Sequence, residues 1–184
     1  SARYLIVELI TGISFLLIFL SFKNLYTIVF LSILILILIM IFFIDLENFI
    51  IPDSLNFSIM GLAFIKNFLP SFNTSLIHDI NQSLIGGIIG YFSIWVIIFL
   101  YKTLKKIDGM GLGDAKLMAG IGLLFGWQSI PLVLFLSSIL GLFFVAPSLL
   151  KKQKTMRSEI PFGPFIIIAM LIYFVFGDFF YGLI

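Results

Sequence analysis

The chain has 184 residues, of which 61% are hydrophobic and only 11% charged, whereas soluble domains average about 25% charged residues. A formal net charge of +2 excludes the basic footprint of nucleic-acid binding. With no cysteine, disulfides and thiolate sites are excluded. A single histidine, His78, excludes an HExxH zinc site, which needs two on one helix face. Apolar runs of the length that crosses a bilayer, about 18 residues or more, predict an all-α polytopic membrane protein. About seven transmembrane helices are expected, all in a single domain over residues 1–184.

In chain order, a first apolar run covers 5–22, interrupted early by Glu8. Lys23-Asn24 makes a short turn into a second and most hydrophobic span, 25–44, which Asp45 closes. A polar-apolar connector over 45–53 follows, where Pro52 disfavours helix at the residue before it. Asp53 or Ser54 is expected to cap the third span, 54–69, which Lys66-Asn67 breaks near its end. A polar loop over 70–82 carries His78 and leads to a fourth span, 83–101, with small residues at Gly86, Gly87 and Gly90. Such residues permit close helix approach in lipid. A basic, then glycine-rich loop over 102–113 precedes a fifth helix, 114–128. A sixth follows over 129–150, then a second basic loop over 151–159 and a seventh span over 160–182. The opening Ser1-Ala2-Arg3, without methionine or the shape of a signal peptide, is expected of a fragment of something longer.

Seven spans put the N-terminus and the 45–53, 102–113 and 151–159 loops on one side. That side collects Arg3, Lys102, Lys105, Lys106, Lys151, Lys152, Lys154 and Arg157, against Lys23 and Lys66 on the other. The positive-inside rule makes the first side, and the N-terminus, cytoplasmic.

Of the nine acids, Glu8, Asp45, Glu47, Asp53, Asp79, Asp108, Asp114, Glu159 and Asp178, two stand apart. Asp45 and Asp114 each sit at an end of a hydrophobic helix on the same side, where desolvating a carboxylate is costly. For Asp114 a purely structural reading competes, because an acid suits a helix N-terminus. Asp45 at a helix C-terminus faces the wrong end of the dipole. Two close carboxylates cannot both ionise comfortably, so they share a proton, one activating water while the other donates to a carbonyl. That chemistry needs neither metal nor covalent nucleophile. A catalytic serine would need a nearby base, and His78 falls on the opposite side. Glu47, Asp53 and Asp108 read as supporting or rim charges, and Glu159, just before Pro161, suits a helix entry. Glu8 could pair with Arg3.

The stretch Gly109-Met110-Gly111-Leu112-Gly113-Asp114 with Lys116-Leu117 lets a backbone come close to another chain, since glycine has no Cβ. Together with Arg3-Tyr4, Val7-Glu8-Leu9, Ile44-Asp45-Leu46-Glu47, Pro52-Asp53-Ser54-Leu55, Gly126-Trp127-Gln128 and Ile160-Pro161-Phe162-Gly163-Pro164, it resembles, in order and over nearly the whole chain, the bacterial type IV prepilin peptidases. These are GxGD-type intramembrane aspartic proteases. The resemblance implies that Asp45 and Asp114 are the catalytic pair. It also implies cleavage after a glycine, on the cytoplasmic face of the bacterial inner membrane, of the basic leader of prepilins or type II secretion pseudopilins. Gly109, Gly111, Gly113, Lys116, Glu47 and Asp53 lie in its motifs as substrate-binding or loop residues. Membrane lipids are the expected surroundings, and proteolysis is expected to need no cofactor. Full-length members also methylate the new N-terminus with S-adenosylmethionine. They carry an additional span and a zinc loop with paired CxxC motifs before the Arg-Tyr stretch, which is not in this chain. Leu5 stands where the family has a proline.

Two readings from other classes remain. Membrane acids on glycine-broken helices also suit a proton-coupled transporter, although both acids lie near one interface and no inverted repeat is visible. A non-catalytic assembly protein of a pilus or secretion machine would tolerate Asn at both acids. An archaeal preflagellin-type peptidase would share the acid pair, but the Pro-Phe-Gly-Pro and Gly-Trp-Gln matches favour the bacterial type.

Overall fold

A computed structural model describes residues 2–68, 80–105, 111–150 and 161–181. These form seven α-helices: α1 (Ala2–Ser21), α2 (Leu25–Asn48), α3 (Asp53–Lys66), α4 (Ile80–Lys105), α5 (Leu112–Phe125), α6 (Ser129–Leu150) and α7 (Gly163–Tyr181). Four of them, α1, α2, α4 and α6, contain stretches long and apolar enough to cross a membrane, and α7 has a shorter apolar stretch, Gly163–Gly177. Helices α3 and α5 have 14 residues each. At 1.5 Å per residue each is about 21 Å long, less than the roughly 30 Å hydrocarbon core.

Short α5 is the centre of the bundle. It packs most extensively on α4 and α3 and also touches α6 and α7. An apolar surface on all sides marks a buried helix. Ala115, Leu117, Met118, Ile121, Leu124 and Phe125 are all in the core. Its contact with α4 depends on glycine. A Cβ built on Gly86 would meet the Gly122 carbonyl and, at 2.6 Å, the Gly126 backbone, and one on Gly122 would meet Gly86.

Helix ends depart from the hydrophobic boundaries. Asp45 does not close α2; the helix runs one turn further, to Asn48. Phe49 stops it in the left-handed region at φ 56° and donates its N–H to the Asp45 carbonyl. The expected connector is thus helical in its first half, because hydrogen bonding continues after the apolar run has ended. At α3 the cap is Pro52, and neither Asp53 nor Ser54 makes a capping hydrogen bond; Asp53 is the first helical residue. Asn24 does cap α2, accepting from the Tyr26 N–H at 2.9 Å. The expected break falls where α3 ends, at Lys66 with Asn67 as its cap, and Lys66 itself is not a solvent-facing end. It is buried, 3% exposed, and its Nζ donates to the Leu124 carbonyl near the end of α5. That carbonyl is one of the four that a helix C-terminus leaves unpaired.

Candidate active site

Asp45 and Asp114 arrive from different helices. Asp45 lies in the last turn of α2 and Asp114 in the first turn of α5. The Asp114 N–H donates to the Gly111 carbonyl at 3.2 Å, which starts that turn. Both side chains are buried, 4% and 8% exposed respectively. The two carboxyl groups are close enough to act on each other electrostatically.

Each acid has its own backbone setting. The Asp45 Oδ2 accepts the Gly163 N–H at 3.0 Å. Gly163 begins α7, so this N–H is one of the donors that a helix N-terminus leaves without an internal partner. A Cβ on Gly111 would lie 3.8 Å from the Asp114 Oδ2. Asp114 Oδ1 is buried and has no hydrogen-bond partner among the described residues.

Ile51 lies between the two settings. A Cβ on Gly113, the neighbour of Asp114, would come within 3.0 Å of the Ile51 Cβ; one on Gly163 would come within 3.0 Å of the Ile51 Cδ1. Glycine at both positions lets α5 and α7 close on this one buried side chain. From α3, the fully buried Asn56 donates its Nδ2–H to the Gly113 carbonyl at 3.2 Å.

The remaining candidates form a rim. Lys116 pairs with Asp53 at 2.6 Å, and its Nζ lies 5.9 Å from the centre of the Phe57 ring. Glu47 pairs with Arg3. This ion pair joins α1 to α2. Gly111 caps α5. Gly109, Asp108, Glu159, His78 and Asp79 lie outside the described residues.

Gly163, Ile51 and Asn56 carried no role in the sequence reading. Gly163 stood in a recognised motif with nothing to say what it touched. Asn56 had a weaker signal, a polar residue within an apolar span. Among the described residues no group of three or more His, Cys, Asp or Glu is placed to hold a metal. The arrangement places two carboxyl groups, one from α2 and one from α5, in a site largely closed to solvent.

The sequence model of the type IV leader peptidase family matches residues 32–146, which include both acids. Over 178 residues, 97% of this chain, it is 33% identical to a prepilin leader peptidase/N-methyltransferase of Aeromonas hydrophila and spans 60% of that protein. A protein of the same description from Dichelobacter nodosus is 33% identical over 177 residues, 96% of this chain and 59% of its own length. Another, from Pseudomonas aeruginosa, is 34% identical over 135 residues, 73% of this chain and 45% of its own. No solved structure matches the chain significantly.

Proposed function

Because the chain belongs to the type IV leader peptidase family, we propose that it is the membrane-embedded aspartic endopeptidase of a prepilin-processing enzyme, with Asp45 and Asp114 as its catalytic pair. The observation that carries this reading is two buried carboxyl groups, brought from separate helices to either side of the buried Ile51. The substrate class is a prepilin or pseudopilin, cut after a glycine between its basic leader and its apolar helix. The site faces the cytoplasm from the bacterial inner membrane, in keeping with the charge distribution.

The pair holds one proton. The ionised acid takes a proton from water, and the resulting hydroxide attacks the scissile carbonyl carbon. The protonated acid gives its proton to the carbonyl oxygen, forming a gem-diol. Collapse breaks the C–N bond: the first acid returns its proton to the leaving amine, and the second recovers one from a gem-diol hydroxyl. Preorganised donors in a site that excludes water make such steps faster than in solution. Gly111, exposed at the entry to α5, would let the extended cleavage segment approach the backbone there, while the space at Gly113 is taken by Ile51. Glu47 and Asp53 are already paired with Arg3 and Lys116, so a basic leader would have to compete for them.

The relatives' printed description also includes N-methyltransferase. We extend the reading to methylation of the new N-terminus in a longer form, with S-adenosylmethionine as donor; the acid pair does not supply that step. Zinc does not fit the present residues, since the chain has no cysteine and the described part offers no cluster of donors.

The test is a cleavage assay with detergent-purified protein and a prepilin, followed by gel shift and N-terminal sequencing. Wild type cuts after the glycine, and folded Asp45→Asn and Asp114→Asn lose at least about 1000-fold in rate, the scale on which removing an essential catalytic group acts. Retained cutting by both variants makes the acids structural and gives the chemistry to another group, whereas an inert wild type returns the transporter and assembly readings.

A further inference from the structure

Asp45 is the only one of the two acids whose carboxyl bonds to a different helix among the described residues. Its partner, the Gly163 N–H, lies at the start of α7, 118 residues away in sequence. A carboxylate that accepts a backbone N–H at a helix N-terminus gains a short, charge-assisted hydrogen bond and a favourable dipole. The contact also leaves no space for a side chain. A Cβ on Gly163 would lie 2.7 Å from Asp45 Oδ2, 3.3 Å from its carboxyl carbon and 3.0 Å from the Ile51 Cδ1. A contact of 2.7 Å forces something to shift, and the nearest group is the carboxylate itself. Gly163 has no positive φ to account for a glycine; among the described glycines only Gly126 does. Its requirement is therefore for space, and the space is occupied by Asp45.

We propose that Gly163 is a positioning residue of the acid pair: its N–H sets the orientation of the Asp45 carboxyl and its missing side chain makes room for that orientation. This rests on the assignment of Asp45 and Asp114 as the catalytic pair. The effect belongs to the chemical step, since Gly163 acts through Asp45 and not through the substrate. A displacement of about 1 Å in a catalytic group can cost about 100-fold in rate.

The experiment compares wild type, Gly163→Ala, Ile51→Val, the double variant and Asp45→Asn, using a synthetic peptide with a basic leader, a glycine and an apolar segment. Gly163→Ala is expected to lower kcat about 100-fold with KM within about twofold of wild type, because substrate contacts are untouched. Ile51→Val removes the Cδ1 atom that the new methyl would meet but leaves Asp45 in place. The double variant is expected to remain as slow as Gly163→Ala, relative to Ile51→Val alone. Should Gly163→Ala fail to fold, the double variant, with that space relieved, carries the same comparison. Restoration of kcat by Ile51→Val would make Gly163 a packing residue and overturn the proposal. Wild-type kcat in Gly163→Ala would also overturn it, and an inactive Asp45→Asn in that same experiment would leave the protease reading standing. An active Asp45→Asn would instead remove the assignment of Asp45 and Asp114 as the catalytic pair.

Discussion

Asn56 occupies a position that apolar patterning would give to a leucine, and it is fully buried. One end of its amide holds the Gly113 carbonyl; the other, Oδ1, is buried with no partner among the described residues. A buried polar atom left unpaired costs about 1–3 kcal/mol, while a made hydrogen bond returns about 1 kcal/mol. The residue therefore contributes little to stability and is better explained by the placement of the peptide next to Asp114. Asn56→Leu is expected to change unfolding stability by less than about 1 kcal/mol while lowering kcat by about tenfold or more through misplacement of Asp114. Thermal unfolding and cleavage kinetics on one preparation check both halves. An unchanged kcat would show that the Gly113 carbonyl needs no second partner.

At the scale of helices, glycine content divides into two kinds. Gly12 in α1 and Gly61 in α3 have nothing within 4 Å of a built Cβ. Gly86, Gly90 and Gly122 lie where α4 and α5 meet backbone to backbone, and a Cβ on Gly90 would fall 2.5 Å from the Met118 carbonyl. Without a hydrophobic drive between helices in lipid, close packing of this type holds them together. Gly122→Ala is expected to destabilise by about 1–3 kcal/mol, the cost of overpacking. Gly12→Ala should stay within about 0.5 kcal/mol, as for a substitution away from packed contacts. Unfolding of both variants in mixed micelles measures the contrast. Equal stabilities would mean that α4 and α5 separate at no cost.

Over the whole molecule, α5 is held chiefly by α3 and α4, while α2 packs with α1 and α7, and α7 with α6. Asp114 belongs to the first set and Asp45 to the second. Asn56, Lys116 and Lys66 bond α3 to α5 along its length, through Gly113, Asp53 and Leu124. Gly163 bonds α7 to α2. The acid pair thus sits on a seam between two groups of helices. The proposed cytoplasmic placement of the pair belongs to this same scale and rests on the excess of basic residues in one set of loops. The chain has no cysteine, so Lys23→Cys and Leu104→Cys give single labelling sites. A membrane-impermeant maleimide applied to intact cells is expected to label the Lys23→Cys protein and to reach Leu104→Cys only after lysis. Labelling of both in intact cells would reverse or abolish the cytoplasmic placement of the acid pair.

Membrane class, helical content and the two central acids were legible from composition and from where polar residues interrupt apolar runs. Those signals are local, because bilayer thickness and desolvation act on each segment alone. The helix ends were less legible. Backbone hydrogen bonding carried α2 past Asp45 to Asn48, and hydropathy does not record it. The partners were not legible at all: Arg3 with Glu47, Lys66 with the end of α5, Asn56 with Gly113, and Gly163 with Asp45. Each joins two helices whose separation in sequence has no bearing on their distance. Three of these four contacts use a backbone atom that every residue type possesses. Side-chain identity therefore marks the acids of the site, while packing of the helices chooses the backbone groups that hold them.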